Sequence, residues 1–366
     1  MRFSHLEISA FRNLTSVGVD LVPNLNVFYG DNGAGKTALL EAVHVLCRGR
    51  SFRTQKSLGL IQNGQDKLMV RGIMEDELRG RTTLGISRNR SARTELRLNG
   101  RPERRLSEIA RLTPLQVMLP DIGELVFGSP SRRRSWLDWG TFHVKPDYLA
   151  HLRQFLRAIR QRNALLRDGA ARNLLQPWND EAARLGQAIT EDRRAYLDLL
   201  QPHFQSVMSV LAPELTVQMS YQQGWPREQE LHKLLGEGQA REVKYGVTLW
   251  GPQRADIALR TSESSAAAVL SRGQGKMVAS ALQMAQAALL ADRERRSTVF
   301  LIDDAGAELD VAHNERFFGL LAKIGGQILA TTTRDPRLDA GGIPPGGLEQ
   351  VVFHVEHGSV TRMVNE

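Results

Sequence analysis

The stretch GDNGAGKT, Gly30 to Thr37, constrains this chain more than any other. It fits G-x-x-x-x-G-K-[ST] without a mismatch, and its flanks fit as well. LNVFYG before it is a short apolar run that predicts a buried strand. KTALLEAVHVLCRG after it predicts a helix with Leu39, Leu40, Val43 and Leu46 on one face. Strand, glycine-rich turn and helix make a phosphate loop: glycines let backbone N–H groups converge on an anion, and the helix N-terminus adds partial positive charge. Gly30, Asp31, Asn32, Gly33, Ala34 and Gly35 are therefore expected to cradle phosphates. Lys36 should reach the β- and γ-phosphates of a nucleotide, and the Thr37 hydroxyl should hold Mg²⁺. ATP with Mg²⁺ is the expected cofactor pair.

A chain of 366 residues has room for two lobes. Its 42% hydrophobic and 24% charged residues are a globular composition. No apolar run nears the roughly 18 residues needed to span a bilayer, and MRFSHLEISAFRNL alternates like a strand rather than presenting a signal peptide's apolar block. Cys47 is the only cysteine, so no internal disulfide forms and a cytoplasmic, reducing home is expected. The net charge is +8, and of 48 basic residues only 8 are lysine. Arginine suits forked phosphate contacts, although arginine-rich usage equally follows from genome composition. A basic chain favours polyanionic partners.

Along the chain, the first segment reads as strands, with KLMVRGIM, RTTLGISRN and TELRLNGRP forming a meander. DYLAHLRQFLRAIRQRNALLRD and WNDEAARLGQAITEDRRAYLDLLQPHFQSVMSVL carry apolar residues at helical intervals. LTVQMSYQQGW and VTLWGPQRADIALR return to strand texture, and GKMVASALQMAQAALLADRERR is a long helix. TVFLIDD and GGQILATTT are buried strands joined by the helix NERFFGLLAKI, a strand–helix–strand unit that predicts a parallel sheet covered on both faces. The fold class is therefore α/β, with a discontinuous nucleotide domain over residues 1–122 and 246–366 and a mainly helical insertion over residues 123–245.

Three motifs narrow this class. In STVFLIDDAGAELD an apolar strand ends in two aspartates, where a second nucleotide motif must lie. Asp303 is expected to bind Mg²⁺ and Asp304 to polarise the attacking water. LSRGQGK places Ser271 and backbone amides at a helix start, an anion site. Ser271, Gly273 and Gln274 match the Leu-Ser-x-Gly-Gln signature of the ABC ATPases, and AELD, Ala307 to Asp310, resembles their D-loop. In that superfamily the signature of one molecule closes over the γ-phosphate held by another.

PDIGELVFGSPSRRRSWLDW, Pro120 to Trp139, together with FRNL, GRSFRT and GPQRADI, resembles the RecF proteins over nearly the whole chain. RecF proteins are bacterial recombination and repair ATPases related to the heads of SMC proteins and Rad50. The resemblance implies an ABC-type P-loop ATPase head with an inserted helical arm lobe. It further implies ATP-dependent homodimerisation, binding of double-stranded DNA near single-strand gaps and junctions, slow hydrolysis, and RecA loading with RecO and RecR. By position it makes Gln116 the loop glutamine that senses γ-phosphate and Mg²⁺. Arg12 and Asn13 then border the adenine end, and Arg53 is a sensor near the phosphates. Three departures accompany it: Thr331 to Thr333 stand where ABC proteins usually carry histidine, Gln253 where RecF proteins usually have histidine, and Gly275 where a bulkier residue is common.

Arg153, Arg157, Arg160 and Arg167 recur within one helical quadrant. Such a stripe either follows a phosphate backbone or is an ordinary solvated face. Arg132, Arg133 and Arg134 form a second basic cluster. The competing readings are a DNA clamp with vestigial hydrolysis and an ABC subunit that powers a transporter.

Overall fold

The computed structural model describes residues 1–54, 57–76, 80–169, 171–305, 311–336 and 349–363. By contacts the chain divides into two compact units, residues 1–122 with 287–366, and residues 123–286.

The first unit holds two sheets. One is antiparallel, in the order β2-β1-β4-β5-β6-β7, built from β1 (Arg2–Phe11), β2 (Leu14–Asp20), β4 (Lys67–Asp76), β5 (Gly80–Asn89), β6 (Thr94–Leu98) and β7 (Arg101–Glu103). The meander expected from the sequence is its β4–β5–β6 stretch. Alternation decides its faces: Leu68 and Val70 are buried while Lys67, Met69 and Arg71 are exposed. The other sheet has the order β14-β13-β3-β12-β11-β8, from β3 (Leu25–Tyr29), β8 (Leu115–Met118), β11 (Val299–Ile302), β12 (Gln327–Thr332), β13 (Gln350–Glu356) and β14 (Ser359–Met363). Its five strands from β13 to β8 are parallel. Every residue of β11 and β12 is buried, as strands covered on both faces must be.

Helix α1 (Lys36–Arg48) packs against β1, β4 and β5 of the first sheet and β12 of the second. Leu39, Leu40, Val43 and Leu46 are all fully buried, each worth about 1.5–3 kcal/mol on leaving water. The fully buried Gln327 stitches the sheets together: it accepts the Phe3 N–H at 2.8 Å and donates to the Phe3 and Val22 carbonyls at 2.7 and 2.9 Å. Helices α2 (Leu106–Leu112) and α11 (Val311–Ile324) also lie wholly in this unit. Strands β3 and β12, from opposite ends of the sequence, are direct neighbours, so the nucleotide-loop domain is discontinuous.

The second unit is mainly helical. It contains α3 (Glu124–Phe127), α4 (Pro130–Val144), α5 (Tyr148–Arg167), α6 (Arg172–Leu211), α7 (Leu231–Glu237), α8 (Gln239–Tyr245) and α9 (Ala266–Val269), and α10 (Arg272–Glu294) crosses the division. Sequence texture places the return to the head near residue 246, whereas contacts keep residues 246–286 with the helical unit. The reasons are local: β9 (Gln218–Gln222) pairs with β10 (Asp256–Arg260), and Gln286 donates to the Trp136 carbonyl at 2.9 Å. Helix α6 also begins before Pro177 and carries both Pro177 and Pro202 inside it. The buried face of α5 includes Phe155, Ile159, Leu166 and a charged residue, Arg162. Arg162 is paired with the equally buried Glu242 at 2.6 Å and held by Asn179 and Thr248. Among the described residues no helix is long and apolar enough to cross a membrane.

Candidate functional site

The phosphate loop links β3 to α1, and two of its glycines are there by necessity. A Cβ on Gly30 would lie 2.1 Å from the Val355 carbonyl oxygen, and one on Gly35 would lie 2.9 Å from the Leu14 side chain, with both backbones at positive φ. Beside the loop is a cleft of about 650 Å³. Asn32, Gly33, Gly35, Lys36 and Thr37 line it, together with Asp303, Asp304 and Thr331 from the ends of β11 and β12. Gly30, Asp31 and Ala34 shape the turn without lining the cleft.

The parallel pairing of β3, β12 and β11 brings the carboxylates to the loop. Thr37 Oγ1 donates to Asp303 at 2.9 Å, and Thr331 Oγ1 donates to the same carboxylate at 2.7 Å. Thr331 also accepts the Asp304 N–H at 2.9 Å. Asp304 itself is exposed and sits at φ +58, a backbone conformation that side-chain-bearing residues rarely adopt. Lys36 is buried and donates to the Gly30 and Asp31 carbonyls at 2.6 and 2.9 Å. Burial lowers its pKa, opposed by Asp304, Asp303 and Asp31.

A hydroxyl and a carboxylate are hard oxygen donors that suit Mg²⁺. No cluster of three or more histidine, cysteine or acidic side chains that could hold a metal exists among the described residues. An ion at Thr37 and Asp303 would therefore need phosphate oxygens and water to complete its shell.

Arg12 and Asn13 line the cleft from the β1–β2 turn. Asn13 donates to the Gly33 carbonyl at 3.0 Å. Arg12 grips Glu41 with two bonds of 2.9 and 2.8 Å. Glu41, fully buried on α1, also accepts from the Ser51 hydroxyl, and Ser51 Oγ in turn accepts the N–H groups of Arg53 and Thr54. One carboxylate thus ties Arg12 to the loop carrying Arg53, which also lines the cleft. Sequence reading missed Glu41 and Ser51; the available signal was one acid in the apolar run ALLEAVHVL.

Other expected residues fall elsewhere. Gln116 is buried in mid-strand, opposite Phe300, and does not line the cleft. It lies two residues short of the strand end, and Pro120 is what this segment contributes. AELD, residues 307–310, lies outside the described residues. Of the three threonines, Thr331 holds the aspartates, Thr332 is buried and Thr333 is an exposed cleft residue.

In the second unit, Ser271 and Gln274 form a capping box on α10. Ser271 N–H donates to Gln274 Oε1 at 2.9 Å, and Gln274 N–H donates to Ser271 Oγ at 3.2 Å. Ser271 and Gly273 are exposed, and a Cβ on Gly273 would meet nothing. Gly275 has a packing reason: a Cβ there would fall 2.2 Å from the Phe127 ring. Gln253 closes its own turn by donating to the Trp250 carbonyl at 2.9 Å. Arg133 is bound to Asp256 at 2.7 Å and Arg134 to the Ala255 carbonyl at 2.8 Å, so these two fix α4 to the strand following GPQR instead of forming a free basic cluster. Arg153, Arg157 and Arg160 are exposed with no side-chain partner among the described residues, while Arg167 packs across Gly246.

A parallel sheet with the phosphate loop at one strand end, two aspartates at another and a capped Ser-x-Gly-Gln helix define an ABC-type ATPase head. The RecF/RecN/SMC N terminal domain model matches residues 2–342. The DNA replication and repair protein RecF of Marinomonas sp. (strain MWYL1) is 39% identical over 340 residues, 93% of this chain and 92% of that one. RecF of Pseudomonas fluorescens (strain Pf0-1) is 38% identical over 363 residues, 99% and 98% of the two chains. A solved recombination mediator protein RecF with ATP, of the RecFOR pathway, superposes at a TM-score of 0.85 with 24% identity, over 99% and 98% of the chains. An Smc head bound to the C-winged helix domain of ScpA superposes at 0.63 with 16% identity, over 100% and 98%. The chain belongs to the RecF family of DNA replication and repair proteins.

Proposed function

We propose that this chain is a nucleotide-driven switch on DNA: it binds ATP with Mg²⁺ in the cleft, pairs with a second copy, and hydrolyses ATP slowly to release. The observation that carries this reading is the convergence of the Thr37 and Thr331 hydroxyls on Asp303 beside Lys36. Mg²⁺, when bound, supplies charge neutralisation at the β- and γ-phosphates. Asp303 and Thr37 would hold it, with Thr331 orienting the carboxylate. Lys36 exchanges its two carbonyl acceptors for phosphate oxygens, a stronger charge-assisted pairing. Asp304 orients the attacking water, and its short side chain suits slow turnover. Asn32, Gly33 and Gly35 offer backbone amides to the phosphates, and Arg12 and Asn13 border the adenine end.

Ser271, Gly273 and Gln274 of one copy close over the γ-phosphate bound by another. The exposure of Ser271 and Gly273 at a capped helix start supports this, because a helix N-terminus turns partial positive charge towards an anion. The exposed Arg153, Arg157 and Arg160 track duplex DNA near single-strand gaps, positioning without reading bases. RecO and RecR are the partners in loading RecA, and the setting is cytoplasmic. Steady-state ATP turnover against gapped duplex DNA tests the reading. Stimulation by DNA that vanishes in Lys36→Met is the expected result. Turnover indifferent to DNA would instead favour a clamp whose hydrolysis is vestigial.

A further inference from the structure

The first unit contains a second cavity of about 660 Å³, as large as the cleft and within the range of small-molecule sites. Its charge is one-sided. Arg50, Arg53 and Arg88 line it, and no aspartate or glutamate among the described residues does. The acid bound to this loop, Glu41, is fully buried and already taken by Arg12 and Ser51. Arg50 and Arg53 are exposed with no side-chain partner among the described residues. Arg88 is only 9% exposed. It donates to Thr94 Oγ1 at 2.9 Å and to the Gly49 carbonyl at 2.8 Å, neutral acceptors that fix the guanidinium without cancelling its charge. Burial lowers its pKa accordingly. Three arginines facing one space are mutually repulsive until an anion enters, and the guanidinium fork matches phosphate oxygens.

Besides the hydroxyl residues Ser51, Thr54 and Thr94, the wall has an apolar part. His44 and Phe52 meet edge to face with ring centroids 5.3 Å apart, beside Leu60. Burial pushes the His44 pKa down to about 4, so the ring adds no charge near neutrality.

We infer that this cavity binds a phosphate ester, with Arg50, Arg53 and Arg88 taking the phosphate and the Phe52–His44 wall taking the esterified group. The ester comes either from a nucleic-acid backbone or from a free nucleotide. Arg53 lines both this cavity and the cleft. A ligand here therefore draws on the same guanidinium as a nucleotide there. The site itself stands without the reading of the cleft; only this coupling rests on it.

The test titrates thymidine 5′-monophosphate and a ten-residue oligo-dT, separately, into the full chain with its cleft saturated by a non-hydrolysable ATP analogue. The informative variant is Arg50→Glu, because Arg50 is exposed and lines only the second cavity. Saturable binding of at least one probe is expected, weakened tenfold or more by Arg50→Glu while affinity for the ATP analogue stays within twofold. Tighter binding of the oligonucleotide assigns the site to a DNA backbone, and equal or tighter binding of the monophosphate assigns it to a free nucleotide. Absence of saturable binding by either probe, or binding indifferent to Arg50→Glu, overturns the proposal. Should the analogue itself fail to bind, the reading of the cleft fails alone, and the same titrations without it still decide the cavity.

Discussion

Thr331 donates its hydroxyl to Asp303 at 2.7 Å from a neighbouring parallel strand, so the carboxylate is oriented by a residue 28 positions away. The same oxygen accepts the Asp304 N–H. One hydroxyl thus sets both aspartates, at the position where a histidine is usual in ABC proteins. Removing it in Thr331→Val takes the acceptor from the part-buried Asp304 N–H and leaves the Asp303 carboxylate with one donor fewer. A loss of about 1–2 kcal/mol in urea unfolding is expected. The Mg²⁺ concentration needed for nucleotide binding should rise by about fivefold, the equivalent of ~1 kcal/mol. Thr331→Ser, which keeps the hydroxyl, should stay near the parent chain in both measurements.

Ser271 separates capping from dimerisation. Ser271→Ala and Ser271→Arg both lose the capping hydroxyl, so each should cost about 1 kcal/mol of stability. Only the arginine adds bulk and charge where a second copy's phosphate loop would close. Light scattering should show ATP-dependent dimers with the alanine variant and monomers with the arginine variant, both binding nucleotide. Dimers of Ser271→Arg would rule out a composite site.

The arginine stripe on α5 makes a salt-dependent prediction. Reversing Arg153 and Arg157 together removes two potential phosphate contacts, so the slope of log affinity against log salt should fall by roughly 2. ATP-dependent dimerisation should be unaffected. An unchanged slope would return the stripe to the status of a solvated face.

His44 gives acid sensitivity. Burial lowers its pKa to about 4, below the unfolded value of about 6.5, so the folded chain binds fewer protons than the unfolded chain between these values. Stability therefore rises with pH through this window, and the penalty is absent above about pH 6.5 and grows as pH falls towards 4. Between pH 7 and pH 5 the His44 contribution should be a loss of about 2 kcal/mol. Urea unfolding of His44→Gln at the two pH values should show a smaller drop than the parent by about that amount.

The sequence by itself determined the elements whose chemistry is contiguous. The phosphate loop is legible because Gly30 to Thr37 are neighbours in the chain, and the strands Val299–Ile302 and Gln327–Thr332 because continuous apolar runs betray burial on both faces. The capped start of α10 was legible for the same reason, since its capping box spans only the four residues from Ser271 to Gln274. Tertiary structure alone decided the rest. It selected Thr331 among three adjacent threonines: alternation turns Thr332 to the other face, Thr333 lies beyond the strand end, and Thr331 is the one bonded to Asp303. It left Gln116 buried in mid-strand, spent Arg133 and Arg134 on β10 and its approach, and gave Gly275 a reason in the Phe127 ring. Glu41 and Arg162 look in sequence like surface charges on helices, yet both are fully buried. Periodicity reports which face of a helix is apolar, but only the fold places Arg12 over Glu41 and Glu242 over Arg162, and a buried charge survives where such a partner exists.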